Sequence, residues 1–334
     1  MTRRLFATRA AAALAATASL LAVGLPATAR AQAWPSKPIT LVVPFSAGGG
    51  VDVMSRLLAE KLRPTLGQII NIDNKAGGSG MIGTLAVVRA PADGHTLLMA
   101  TAGEMAINPH VHKGRMQYMP EKDLAPIALV VKVPNVLVVN PVLPVRSVAE
   151  LLAHGRAHPG TLSYGSSGIG NPQHLAGELL ETLSGVKLTH VPYRGASNQL
   201  SDTAGGSVSM TFVSLAGARP FLKDQRVRAI AMTSARRTPL APDMPAVAET
   251  RGLEGYALEN WFGLFAPAAT PPAVLEKLHA AVEQALRDPE LVRRLGELGG
   301  EVVPMGPSAF RAFIQDESKR FARIVQDANV TPDN

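Results

Sequence analysis

The sequence predicts an α/β protein of two lobes, each built on a doubly wound, mostly parallel sheet. Three observations predict it. Short apolar runs alternate with amphipathic segments, and three glycine-rich turns each stand between a strand and a helix. Once an N-terminal targeting segment is set aside, the remaining 301 residues exceed what one core usually organises.

That targeting segment is residues 1–33. Arg3, Arg4 and Arg9 precede an uncharged Ala/Leu-rich run from Ala10 to Leu25, and small residues offer cleavage after Ala31 or Ala33. This is the layout of a secretory signal. The run is short for crossing about 30 Å of hydrocarbon and ends at Pro26. Arg3-Arg4 fits a twin-arginine signal as well as the general secretory (Sec) route, and either delivers the mature chain to the periplasm. Removing Arg3, Arg4, Arg9 and Arg30 leaves 29 basic against 26 acidic residues, a net of +3. No Lys/Arg run or aromatic–basic interleaving remains, so nucleic acid is not an expected partner. Without cysteine there is neither a disulfide framework nor a thiolate site, and the core alone must hold the fold. No later apolar stretch is long enough to span a bilayer, so the mature chain is expected to be soluble.

Ile39–Val43 reads as a strand, followed by a helix with Val51, Met54, Leu58 and Leu62 at helical spacing, stopped by Pro64 and Gly67. Ile69–Ile72 is a second strand, a helix bearing Ile82, Leu85 and Val88 comes next, and Thr96–Ala100 is a third strand. The apolar stretch Ile127–Val139 is too interrupted for a helix and reads as a strand passing from one lobe to the other. A second series opens with a strand at Thr161–Tyr164 and a helix capped by Asn171-Pro172 and stopped by Gly185. Leu188–Val191, Val208–Val213 and Val227–Thr233 supply further strands, Trp261–Ala266 a return crossing, and Pro272–Leu286 and Phe310–Val325 the last helices. The expected division is residues 34–130 plus 258–334 for lobe I and 131–257 for lobe II.

The loops Ser46–Asp52, Asn74–Gly83 and Gly165–His174 carry the functional reading. Glycine lets backbone approach a ligand closely, and a helix N-terminus offers unpaired N–H groups with partial positive charge. At the carboxyl ends of parallel strands, such loops are where ligands bind in open α/β sheets. Three of them in two halves point to a shared cleft for an anion rather than to turns alone. Asp52, in the first turn of its helix, is either an acid stabilising that terminus or a ligand-facing group.

Catalytic signatures are missing. Ile169 and Met81 occupy the fifth position of the two Gly-x-Ser-like stretches, where a nucleophile elbow needs glycine. Neither a dinucleotide fingerprint nor a phosphate loop is present. Ser184-x-x-Lys187 has no Lys-Thr-Gly partner. His110 with His112, and His154 with His158, have no carboxylate partner in sequence and read as solvent-facing, so no metal site is expected.

The stretch Pro44-Phe45-Ser46-Ala47-Gly48-Gly49-Gly50-Val51-Asp52 resembles the opening loop of the Bug family, the substrate-binding proteins of tripartite tricarboxylate transporters. The resemblance continues through Asn74–Gly83, Tyr164–Gly170 with His174–Glu178, Val191–Gly195 and Trp261–Pro267. It implies a type II periplasmic-binding fold that closes on a small mono- or dicarboxylate without chemistry or cofactor. It also implies ligand contacts at Phe45, Ala47, Gly48, Gly49 and Asp52, then at Gly78, Thr101, Ser166, Ser167 and Gly168, and Arg194 is added as a candidate for the distal group of the ligand. The expected partners are the integral-membrane subunits of such a transporter or a membrane sensor, with the binding protein itself a monomer. An exported hydrolase on the same scaffold is the alternative. Four positions depart from the family pattern: Gly78 and Ser79 in the second loop, where Gly-Ala-Gly-Gly is common, Arg194 where lysine is familiar, and Val213 where many members carry an acid. The last disfavours a ligand with an ammonium group, and an inward Arg194 would favour a second carboxylate.

Overall fold

A computed structural model describes residues 34–193 and 196–332. The secretory segment and Arg194 therefore lie outside the described residues. From Lys37 onward the chain is one compact unit.

The first sheet begins with β1 (Ile39–Val43), β2 (Ile70–Asn74) and β3 (Thr96–Thr101), parallel in the order β2-β1-β3. β4 (Leu124–Val139) is buried along almost its whole length, as its Val/Ile/Leu content requires of a strand covered on both faces. In the second lobe β5 (Ser163–Ser166), β6 (Thr189–Pro192) and β7 (Met210–Ser214) are parallel in the order β6-β5-β7. β8 (Arg228–Met232) and β9 (Glu259–Pro267) complete the set. β9 runs antiparallel between β3 and β4. β4 pairs with β9 up to Pro134 and then, from Asn135, with β7, and from Val136 with β8 as well. One long strand is thus shared by both sheets, and Pro134, which cannot donate to a ladder, stands where the partners change. The parallel order predicted for each lobe holds for the strands that lead into glycine loops. The strands that join the lobes are antiparallel.

The helices follow the strands as expected, with shifts at their ends. α1 (Gly50–Leu66) buries Met54, Leu57, Leu58, Leu62 and Leu66. It continues through Pro64, which this close to the C-terminus removes one bond of the last turn, and stops at Gly67 in the left-handed region. α2 (Met81–Val88) follows the second loop, and a five-residue π-helix (Gly103–Ile107) follows β3. α3 (Val148–Ala157) leads into β5, and α4 (Pro172–Ser184) out of it. Asn171 Oδ1 accepts from the N–H groups of Gln173 and His174, and Gly185 closes α4 at φ 68°, as its sequence predicts. α5 (Ala196–Gly205), α6 (Leu215–Lys223), α7 (Pro272–Leu286) and α8 (Pro289–Glu297) cover the sheets. α9 (Pro307–Asp327) sets Phe310 edge-on to Trp261, their centroids 5.5 Å apart.

Most strand bounds shift by one to three residues, and two of the shifts fall at the glycine loops. β2 starts at Ile70 and reaches Asn74, leaving Ile69 half exposed. β5 spans Ser163–Ser166, so Gly165 and Ser166, expected in the loop, are buried strand residues. Their ladder partners in β6 and β7 are distant in sequence and invisible to local patterning.

Candidate ligand-binding site

The first loop joins β1 to α1. Residues Ser46–Gly50 are exposed, Gly48 stands at φ 81°, and Gly49 is the N-cap with no side chain capping the helix. The first-turn N–H groups of α1 therefore point at solvent, where an anion would meet them. Asp52 does not share that exposure. It is buried, and its carboxylate accepts from Gly48 N at 2.8 Å, Asn74 Nδ2 at 3.0 Å and Arg56 Nε at 3.0 Å. Asn74 Nδ2 also donates to Phe45 O at 3.1 Å. Burial raises the Asp52 pKa, but Arg56, the Gly48 N–H and Asn74 outweigh it and hold the carboxyl below its ordinary value. Of the two sequence readings of Asp52, neither describes it fully: it braces the loop.

The second loop, which lies beside the first, carries a run of four residues at positive φ: Gly77, Gly78, Ser79 and Gly80. Gly83 is packed so closely that a Cβ there would lie 2.8 Å from Pro44 Cα. Gly80 is the N-cap of α2, again with no side-chain cap. Ser79 pays for its left-handed φ of 51° in backbone strain of about 1–2 kcal/mol, and its carbonyl accepts from Asn108 Nδ2 at 2.9 Å. Gly78 is exposed, whereas Thr101, at the end of β3, is buried. Both Thr101 donors are taken: N and Oγ1 reach Glu104 Oε2 at 2.7 and 2.8 Å. Thr101 thus has no free donor for a ligand.

In the second lobe the loop after β5 is held from behind. Ser166 is fully buried, its hydroxyl donates to Gly168 O at 2.9 Å, and His190 Nε2 lies 2.7 Å away. A serine so placed has its hydroxyl engaged within the loop. Ser167 N donates to Gln173 Oε1 at 2.8 Å, and Ser167 Oγ accepts from Gln199 Nε2 at 3.3 Å, leaving the Ser167 hydroxyl hydrogen to donate. Gly168 (φ 130°) and Gly170 (φ 72°) shape the turn. Gly170 N donates to His174 Nδ1 at 3.0 Å, and the His174 ring stacks on His190 with centroids 3.8 Å apart. Burial, then His174, pushes the His190 pKa down to about 4.

Other sequence expectations fare differently. Val213 is a core residue, packed with Val136, Leu200 and Met232, so its difference from the family pattern repacks the core rather than a pocket wall. His112 is buried and His110 half-buried on Ser318 Oγ at 2.9 Å, against the solvent-facing reading. Among the described residues no group of three or more His, Cys, Asp or Glu side chains could hold a metal ion. No described helix is long and apolar enough to cross a membrane. A recess of about 460 Å³ opens elsewhere, between the start of α3 and the segment after β8, lined by Arg146, Ile230, Pro245 and Arg251 and by none of the glycine loops.

The family description "Tripartite tricarboxylate transporter family receptor" matches residues 54–330. The chain belongs to that family. Members are periplasmic solute-binding proteins, and the resemblance to the Bug proteins holds. The receptor is 38% identical over 296 residues to the UPF0065 protein in the tcbD-tcbE intergenic region of Pseudomonas sp. (strain P51), covering 89% of this chain and 88% of that one. Rpa4515 of R. palustris, solved with adipate, superposes with a TM-score of 0.82 at 37% identity, covering 89% and 99% of the two chains. MatC (Rpa3494) of Rhodopseudomonas palustris, solved with malate, gives 0.77 at 32% identity over 87% and 100%. In this receptor, sequence reasoning passed over Glu104, His190 and Gln199, all polar and buried or half-buried behind the loops. Glu104 carries one signal in sequence, a lone acid within the otherwise uncharged run Met99–Pro109.

Proposed function

We propose that this receptor captures a small carboxylate, a dicarboxylate by preference, in the cleft between its lobes and delivers it to the integral-membrane subunits of a tripartite tricarboxylate transporter. The observation that carries the reading is the exposed N-terminus of α1 in lobe I, with the second glycine loop beside it. α1 is capped by Gly49 and by no side chain, so its first-turn N–H groups are left for an external anion. One carboxylate sits against Phe45, Ala47, Gly48 and Gly49 with Gly78 beside it, and the distal group meets Ser167, Gly168 and Arg194. The adipate and malate bound by the two relatives are dicarboxylates, which supports this class. The lobes are residues 34–130 with 258–334, and residues 131–257. The mature chain, freed of residues 1–33, works in the periplasm without turnover of its ligand.

Calorimetry against a panel of mono- and dicarboxylates that includes adipate and malate, with aspartate as the amino-acid control, tests the proposal. Micromolar or tighter binding of at least one dicarboxylate, tighter than aspartate, is expected. Binding of none, or a preference for aspartate, would refute it.

A further inference from the structure

Glu104 is fully buried, in the π-helix that follows β3. Its Oε2 accepts both donors of Thr101, and its Oε1 has no hydrogen-bond partner. That free oxygen presses on the N-cap of α2: a Cβ on Gly80 would lie 2.0 Å from it. The carboxyl therefore sits between the end of β3 and the back of the second glycine loop. The groups around it are neutral. β3 presents Thr101, and α2 presents Gly80 and Thr84, whose hydroxyl is spent on Gly80 O. Asn108 bonds Ser79 O, and the Tyr118 hydroxyl donates to Glu104 O at 3.3 Å. Arg311 of α9 lines a crevice with Met105, next to Glu104, but makes no ion pair with it. Tyr118 is the one titratable neighbour in this shell, and burial together with Glu104 holds its pKa above the usual range.

A carboxylate ligand at the lobe I loops and an ionised Glu104 would place two negative charges on opposite sides of the second glycine loop, one outside it and one packed behind Gly80. Two like charges in that arrangement oppose each other, and the buried one can yield by taking a proton. We propose that Glu104 is a proton-linked positioning residue, protonated when a carboxylate occupies the cleft, so that ligand affinity falls as the solution becomes alkaline. The inference rests on the carboxylate reading above. Burial, opposed by the Thr101 donors, pushes the Glu104 pKa up to about 7, so the proton equilibrium falls in a range where the receptor can be assayed. Ligand binding then raises that pKa further and takes up as much as one proton. The dissociation constant should be flat below the free pKa. Above it, the constant should rise by up to about tenfold per pH unit until the bound pKa is passed.

The test uses the mature receptor with adipate and malate, both fully ionised between pH 6.5 and 8.5, with a wider panel of carboxylates if neither binds. Calorimetry in buffers of different ionisation enthalpy should show proton uptake near pH 7.5 and weakening affinity from pH 7 to 8.5. Glu104→Gln keeps an oxygen for the Thr101 donors and resembles the protonated acid. It should bind with an affinity that no longer changes with pH and without that uptake. Carboxyl-carbon NMR of the unmutated receptor gives a second readout should the variant misfold: the Glu104 resonance should titrate near 7 and shift upward with ligand. A pH-independent wild-type affinity, a Glu104→Gln variant that keeps the slope, or an unshifted resonance overturns this inference alone. If no carboxylate in the panel binds, the underlying reading falls and this one with it.

Discussion

Asp52 and Ser166 each stand at the edge of a glycine loop, and each is buried and bonded to that loop's backbone. Asp52→Ala would strand the Gly48 N–H and free Asn74 and Arg56. A loss of about 1–3 kcal/mol in urea unfolding is expected, with weaker adipate binding from a loosened loop. Gly48 is a different case. At φ 81° with open space around it, a side chain meets no neighbour but strains the backbone and fills the path to the α1 N-terminus. Gly48→Val should abolish adipate binding in calorimetry while leaving a folded protein. Unchanged affinity would remove this loop from the site. The strain argument does not extend to Gly49, whose φ of −76° any residue adopts.

At the scale of elements, α4 and the loop before it act as one unit. Asn171 caps the helix, His174 in the first turn holds Gly170 N, and His190 from β6 backs His174 and Ser166. Asn171→Ala should lower stability by about 1 kcal/mol in a denaturant titration. The histidine stack adds a pH dependence with a definite sign. His190 has its folded pKa depressed to about 4, below the value near 6.5 of an unfolded chain. The stability it contributes is fully present above about pH 6.5 and is lost as pH falls towards 4. Glu104 acts oppositely, since its raised pKa makes the folded state less stable as pH climbs from about 4.5 to 7. Urea midpoints between pH 4 and 7 should therefore fall less steeply on acidification in His190→Gln than in the parent. In Glu104→Gln they should fall more steeply.

Across the whole molecule, the lobes share the strand β4 and meet again at the cleft. A Cβ on Gly170, from the lobe II loop, would lie 3.0 Å from Val111 Cγ1, which follows the π-helix of lobe I. Two lobes joined by crossing strands and touching through a glycine can hinge. A ligand bound by loops from both sides gains its full set of contacts only when they are close. Small-angle scattering should show a smaller radius of gyration with saturating adipate than without. Identical profiles would take closure out of the mechanism.

The elements that sequence determined are those whose signals are local. Residues 39–43 and 96–100 announce strands by their apolar runs, and Asn171-Pro172 with Gly185 delimits α4 by capping chemistry. Gly48, Gly77, Gly78, Gly80, Gly168 and Gly170 mark where the backbone of the three loops bends at positive φ. The ordered set of motifs from Pro44 to Pro267 was enough to indicate the family. Tertiary structure alone decided which polar side chains face the cleft. Asp52 is claimed by Asn74, 22 residues on, and Ser166 by His190, 24 residues on, while Glu104 packs against Gly80, 24 residues back. A residue's periodicity reports which face of its own element it occupies. Whether that face meets a ligand or another strand's donor depends on partners that only the folded sheet order brings within hydrogen-bonding distance.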